Sequence, residues 1–432
     1  VPYLKYGTER IKMTVLVVGG GGREHAICAA LRKSPLVKRL ICAPGNGGIS
    51  NIAECVPVKA TDIPGMLKLA GERGVDFVVV APDDPLALGM VDAFEKAGIA
   101  AFGPGKNAAI IESSKVFSKS LMEKYAIPTA SYRAFDHMQD ALDYIEEKGA
   151  PIVVKADGLA LGKGVVVAMT LQEAKQAVKE MMEDKKFGQS GSRIVIEDYM
   201  TGPEVTVLCF TDGKTIVPMP SSQDHKRAYD NNEGPNTGGM GAICPSPNYT
   251  PRIAQECMEK IFLPTIHAMA SEGRPFKGVL YFGLMLTPDG PRVVEYNARF
   301  GDPETQPVLS LLETDLMEIF MAVTGERLSE LEIKWKDGAA CCVVLASGGY
   351  PGQYTTGYEI EGLDKSLPGI TVYHAGTKKE EGKYFTSGGR VLGVTATAEH
   401  LKGAINMAYD AVKTIYFKDM HYRADIGRDF LV

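Results

Sequence analysis

The sequence predicts an α/β protein, α+β overall, with an N-terminal doubly wound parallel sheet and a separate, mainly β C-terminal domain. Three observations carry this. Apolar runs at 15–18, 40–43, 77–81 and 99–102 alternate with helical stretches at 26–33, 63–73 and 85–97, the pattern of parallel strands with crossover helices. From Lys334 the texture changes to short runs at 339–346, 370–374, 383–386 and 390–395, separated by glycine turns and closed by a helix at 399–415. The 432 residues also exceed one typical domain.

Composition narrows the class. A hydrophobic content of 45% supports a packed core, and a net charge of −6 spread along the chain offers no basic patch for nucleic acid. No apolar run reaches the ~18 residues of a membrane span, and no signal peptide is read. Eight cysteines without a CxxC pair read as reduced thiols, so a cytoplasmic protein is expected. Residues 1–12 precede Met13 and its strand, and are set aside as an extension outside the fold.

The first strand runs into Gly19–Gly22 and then Arg23, Glu24 and a helix. Free N–H groups and the helix dipole make such a turn an anion site, although four glycines also simply make a tight turn. It fails as a dinucleotide fingerprint: Glu24 takes the third glycine position, and no ribose-binding acid follows ~20 residues on. Ligands of a doubly wound sheet gather at the carboxyl ends of its strands, here Gly19–Gly22, PGNGG at 44–48 and PDDP at 82–85. Asp83 or Asp84 reads equally as a helix cap.

The middle of the chain reads as a helix at 106–125 carrying Ser114, Lys115 and Lys119, a helix at 136–148, and a strand ending in Lys155. A hairpin with Gly158, Gly162, Lys163 and Gly164 follows, and its glycines allow close backbone approach to a ligand. A strand, not a helix, comes next, so this is no Walker A loop. The strand at 193–198 leads through Glu197, Tyr199 and Met200 to a turn and Glu204. Residues 221–247, dense in glycine, asparagine and charge, read as a long functional loop that could grip an anion, with a linker as the bland alternative. A helix at 251–272, paired strands at 278–286 and 292–297, and a helix at 305–324 complete this part.

Within the second of those strands, Glu295, Asn297 and Arg299 stand two residues apart, so their side chains leave one face. Two hard oxygens followed by a fixed cation suit a metal-bound polyphosphate. Alone, the row reads equally well as the polar face of an edge strand.

Taken together, GGGGREHA at 19–26, PGNGG at 44–48, FGP at 102–104 and SKVFSK at 114–119 resemble the ATP-grasp ligases. With IPTA at 127–130, KADGLALGKGV at 155–165, QDHKR at 223–227, GPNTGGMGA at 234–242 and NARFGDPETQ at 297–306, the chain from Met13 onward resembles the glycinamide ribonucleotide synthetase family far more closely. The resemblance implies an ATP-grasp fold with parts at 13–114, 115–200 (small, lid part), 201–333 (large part with the metal strand) and 334–432. It implies ligation of glycine to 5-phosphoribosylamine through glycyl phosphate, with ATP and Mg²⁺ or Mn²⁺, by a monomer. It leaves open whether the preceding pathway enzyme hands over the amine.

The same resemblance implies the site. Glu295 and Asn297 would hold the metal. Lys115, Lys155 and the hairpin of Gly158, Gly162, Lys163 and Gly164 would hold phosphates. Glu197, Tyr199 and Met200 would meet adenine, and Glu204 the ribose. Arg299 would stabilise the transferring phosphate, with Lys155, Asp224 and Lys226 as the other catalytic candidates. Gly20, Gly21, Gly22, Arg23 and Glu24 would hold the ribose 5-phosphate, while Asn236, Thr237, Gly238, Gly239, Met240 and Asp302 would bind substrate. Departures are Gly283 where the wider superfamily often has a third metal acid, Ala81-Pro82-Asp83 for Gly-Pro-Glu, Asn232 for an acid, and Ile243-Cys244 for Tyr-Ser. The alternatives are another carboxylate–amine ligase, a non-catalytic nucleotide binder, and a dehydrogenase.

Overall fold

The computed structural model describes residues 12–159, 164–183, 191–364 and 367–431. Five parallel strands come first, in the spatial order Glu54–Cys55, Val37–Pro44, Met13–Gly19, Phe77–Val80, Ala100–Phe102. Successive residues of Met13–Gly19 feed two cores: Leu16 and Val18 pack with Met66 and Leu69 of helix Ile63–Arg73, Val15 and Val17 with Ile27 and Leu31 of helix Gly22–Leu31. Burial on both faces explains the unbroken apolar runs. The strand order reverses beside Met13–Gly19, which opens a crevice at its carboxyl end.

Two helices, Lys106–Ser113 and Lys115–Lys124, replace the single one expected over 106–125. Ser114 breaks it: its backbone is extended (φ −137°, ψ 110°) and its hydroxyl accepts the Phe117 N–H at 3.1 Å, capping the second helix. A small antiparallel sheet follows, ordered Tyr132–Phe135, Ile194–Asp198, Ile152–Ala156, Val165–Ala168. Helices Met138–Lys148 and Leu171–Met182 back it, and its core around Ile145, Val154 and Val178 is separate from the others.

The larger antiparallel sheet runs Ile216–Pro218, Glu204–Asp212, Lys277–Thr287, Gly290–Asn297. Its apolar face joins the N-terminal domain; Phe282, Phe262 and Phe276 are wholly buried there. The helix expected over 305–324 is two, Thr305–Ser310 and Leu316–Thr324, the second capped by Asp315 on the Met317 N–H at 2.8 Å.

The segment 221–247 is more ordered than a loop. It contains strands Gln223–Asp224, Arg227–Tyr229, Glu233–Asn236 and Gly241–Cys244. Two of these extend the C-terminal sheet, ordered Gln223–Asp224, Gly241–Cys244, Ala339–Ser347, Arg390–Ala398, Ile370–His374, against which helix Leu401–Val412 packs. Gly241–Cys244 pairs with Ala339–Ser347, far downstream, which local composition does not reveal. The C-terminal domain is thereby woven into the middle of the chain.

Candidate active site

A cleft of about 950 Å³ opens between the small sheet, the larger sheet, the N-terminal crevice and the C-terminal domain. Its lining includes Lys115, Lys155, Gly158, Gly164, Glu197, Tyr199, Met200 and Glu204. It also includes Arg23, Asp224, Lys226, Asn236, Thr237, Gly238 and Asp302, together with Glu295, Asn297 and Arg299. Gly162 and Lys163 lie outside the described residues. Gly20, Gly21, Gly22, Glu24, Gly239 and Met240 do not line the cleft.

The strand Gly290–Asn297 turns Glu295 and Asn297 to one face, as alternation requires. Burial alone pushes the Glu295 carboxyl up, but Lys226, Lys155, Lys115 and Arg299 together hold it below its ordinary range. It is therefore an anion at neutral pH. Across the ladder from Glu295 stands Gly283, and a Cβ there would come 3.1 Å from Glu295 Cγ. The glycine at the third-acid position thus keeps the space beside the carboxylate clear. An ionised carboxylate and a carboxamide oxygen on one face fit a hard divalent cation shared with phosphate oxygens. Asn297 Oδ1 accepts from Arg299 Nη2 at 3.4 Å, leaving one lone pair.

Where the small sheet meets the strand Gly290–Asn297, Lys155 Nζ lies 2.9 Å from Glu197 Oε1 and donates to the Val294 carbonyl at 2.9 Å. Lys119 Nζ lies 3.0 Å from Glu197 Oε2. Burial pushes the Lys119 ammonium down to about 8 against the pull of Glu197. Lys115 Nζ donates to the Gly158 carbonyl at 2.9 Å, and Asp157 Oδ1 accepts from Ser114 Oγ and the Val116 N–H, both at 3.1 Å. The glycine hairpin is thus anchored to the start of helix Lys115–Lys124.

The N-terminal glycine turn is not an open anion cradle. Gly21 N–H donates to Glu24 Oε2 at 2.6 Å, and the Arg23 N–H to Asp302 Oδ2 at 3.4 Å, so internal carboxylates occupy the helix start. Only the Arg23 side chain reaches the cleft from this turn. Gly239 backs the cleft wall: its φ is +113°, and a Cβ would sit 2.6 Å from Asp224 Oδ1 and 2.4 Å from Pro303.

Asp224 is half-buried, its shielded Oδ1 has no partner, and desolvation followed by Glu304 pushes its carboxyl well above the ordinary range. Lys226 Nζ lies 2.9 Å from Glu204 Oε2 and 3.6 Å from Glu295 Oε1, and those charges outweigh burial to raise it. Sequence reasoning missed Glu112, Tyr281, Glu304 and Tyr350, all of which line the cleft, and gave Lys119 no role. Glu304 sits inside the NARFGDPETQ segment, where it could have been found. Arg390 comes from the C-terminal domain, donating to the carbonyls of Gly238 at 2.6 Å and Asp302 at 2.7 Å.

Two antiparallel sheets enclosing buried lysines and an acid–amide–arginine row define an ATP-grasp ligase. The chain belongs to the phosphoribosylglycinamide synthetase family: the models of its N domain, ATP-grasp (A) domain and C domain match residues 13–112, 113–305 and 340–429. It is 46% identical over 418 residues to a phosphoribosylamine–glycine ligase of Caldanaerobacter subterraneus subsp. tengcongensis, covering 97% of this chain and 100% of that protein. A ligase of the same name from Listeria innocua is 47% identical over 417 residues, covering 96% and 99%. The crystal structure of the Thermotoga maritima phosphoribosylamine–glycine ligase superposes with a TM-score of 0.83 at 32% identity, covering 96% of this chain and all of that one. A biotin carboxylase domain from Hydrogenobacter thermophilus, solved with MgADP, ADP and bicarbonate, shares the fold at 15% identity, with a TM-score of 0.73 and coverage of 96% and 92%.

Proposed function

We propose that this protein joins glycine to 5-phosphoribosylamine using ATP, giving glycinamide ribonucleotide, ADP and phosphate, a step of purine biosynthesis. The observation that carries the reading is the Glu295–Asn297–Arg299 row in one cleft with Lys115 and Lys155, in a chain the family spans almost end to end. A glycine carboxylate oxygen attacks the γ-phosphorus, the bond to the bridging oxygen breaks, and ADP leaves. The amine nitrogen then attacks the carbonyl carbon of glycyl phosphate, phosphate departs, and the nitrogen sheds a proton. Such chemistry asks for in-line placement and charge neutralisation rather than an enzyme nucleophile.

In this reading Lys115, Lys155 and the hairpin of Gly158, Gly162, Lys163 and Gly164 bind the ATP phosphates. The backbone of residues 197–200 meets adenine, because the Glu197 carboxylate is already engaged by two lysines. Glu204 takes the ribose. Arg299 faces the transferring phosphoryl group. Asp224, Lys226, residues 236–238 and Asp302 bind glycine and the amine, with Gly239 and Met240 as the wall behind them. The 5-phosphate goes to the Arg23 side chain rather than to the Gly21 and Arg23 amides, which carboxylates occupy. Glu295 and Asn297 would hold Mg²⁺, or Mn²⁺ in its place, which when bound neutralises phosphate charge. The small sheet, with its own core, closes over ATP and keeps water from the acyl phosphate.

A cytoplasmic monomer belongs to the same reading. All eight cysteines are free, which suits a reducing compartment, and no helix among the described residues is long and apolar enough to cross a membrane. Release of ADP tests the proposal: it should require glycine and phosphoribosylamine together, and hydroxylamine should trap the activated glycine as its hydroxamate. Faster turnover with another acid or another amine would overturn the substrate assignment.

A further inference from the structure

An arginine that meets a phosphoryl group only when substrate arrives needs its guanidinium oriented beforehand. Arg299 Nη1 donates to the Phe300 carbonyl at 3.2 Å and Nη2 to Asn297 Oδ1 at 3.4 Å, both long. The firmer grip comes from the far side of the chain. Glu112 Oε1 lies 3.1 Å from Arg299 Nη2, and Glu112 Oε2 accepts the Ala298 N–H at 2.7 Å. One carboxylate therefore holds both the guanidinium and the backbone just before it. Its side chain is only 7% exposed, and Arg299 Nε beside it is buried without a partner, a donor left over for a ligand.

Glu112 sits at the end of helix Lys106–Ser113. Two and three residues on, Ser114 and Lys115 bond Asp157 and the Gly158 carbonyl at the start of the glycine hairpin. A short connector thus grips the metal strand at Glu112 and the phosphate cover at Ser114 and Lys115.

We propose that Glu112 is a positioning residue for phosphoryl transfer, fixing Arg299 and the 297–299 backbone before substrate binds and linking them to the glycine hairpin. This rests on the reading above that Arg299 faces the transferring group. A buried ion pair with no such task would affect stability alone.

Glu112→Gln keeps the length and an oxygen for the Ala298 N–H but removes the charge. In steady-state ADP release it should lower kcat about 10- to 100-fold, as a slightly misplaced reacting group does. KM for ATP should stay within about threefold, the signature of an interaction needed in the transition state. Glu112→Asp, charged but shorter, should fall between. A kcat within about twofold of wild type in Glu112→Gln overturns the proposal, as does a loss confined to KM. If Glu112→Gln does not fold, the same split measured on Glu112→Asp decides. Wild-type protein lacking glycine-dependent ADP release overturns the functional reading and this one with it; an active wild type with an unchanged variant overturns only this one.

Discussion

Lys155 Nζ stands 2.9 Å from Glu197 Oε1, with both side chains almost wholly buried in the wall of the cleft. Lys119 holds the other carboxylate oxygen at 3.0 Å. One anion between two cations leaves a net positive wall, arranged before any ligand binds. Because Lys155 also donates to the Val294 carbonyl, the same ammonium ties the small sheet to the strand that carries Glu295.

Removing the anion should therefore cost more than removing one ordinary ion pair. Glu197→Gln leaves two buried ammonium groups facing a neutral amide, and we expect a loss of roughly 3–5 kcal/mol. The urea midpoint measures it at constant slope. A change below about 1 kcal/mol, the range of exposed pairs, would mean that the triad is hydrated.

Asp224 predicts the opposite balance. Its Oδ1 is shielded and bare, and the carboxyl is pushed well above its ordinary range, so Asp224→Asn replaces an unfavourably placed acid by a neutral group of the same shape. Stability should hold or rise by about 1 kcal/mol, while KM for glycine or the amine rises at least about tenfold. Thermal melts and substrate titrations check both halves; unchanged KM values would remove Asp224 from the substrate site.

Glu295→Ala takes the proposed metal ligand away without opening the core, since the side chain is 31% exposed. Ligation should fall on the order of 1,000-fold, several kcal/mol of transition-state charge stabilisation, with the melting temperature nearly unchanged. Near-wild-type turnover would refute the metal-strand assignment.

Stability should also decline in mild acid. Burial pushes His25 down to about 4, and its Nδ1 accepts the His374 N–H at 2.8 Å, a bond that needs the neutral ring. Burial and then His25 push His374 down to about 3; burial and then Arg423 push His225 down to about 4. The unfolded chain takes up these protons near pH 6.5 and the folded chain only near pH 4 or below. The stability is thus complete above 6.5 and is lost as pH falls toward 4, at most roughly 3 kcal/mol for His25. Urea unfolding between pH 7 and 5 should show this, and His25→Gln, which keeps an acceptor, should flatten the slope. Equal slopes would exclude His25 as a contributor.

Much of the site is legible residue by residue because its chemistry is local. Glu295 and Asn297 share a face through strand alternation alone, and Lys155 stands in an apolar strand beside glycines whatever the tertiary fold; Arg299 lies just beyond its strand and is placed by Glu112. Family motifs extended that reading to Asp224, Lys226 and Asp302. The glycine turn at 19–22 shows the limit. Its amides look free in the sequence, yet Glu24 folds back on one and Asp302, far along the chain, covers another.

The sequence by itself determined the parallel N-terminal sheet and the strand that carries Glu295 and Asn297, since periodicity and glycine placement act over a few residues. Tertiary structure decided what depends on distant partners. It broke the 106–125 helix at Ser114, whose hydroxyl donates to Asp157 Oδ1. It recruited residues 223–224 and 241–244 into the C-terminal sheet. It also set Glu112 against Arg299, two charges 187 positions apart in the chain that only the packing of one domain on another could bring within 3.1 Å.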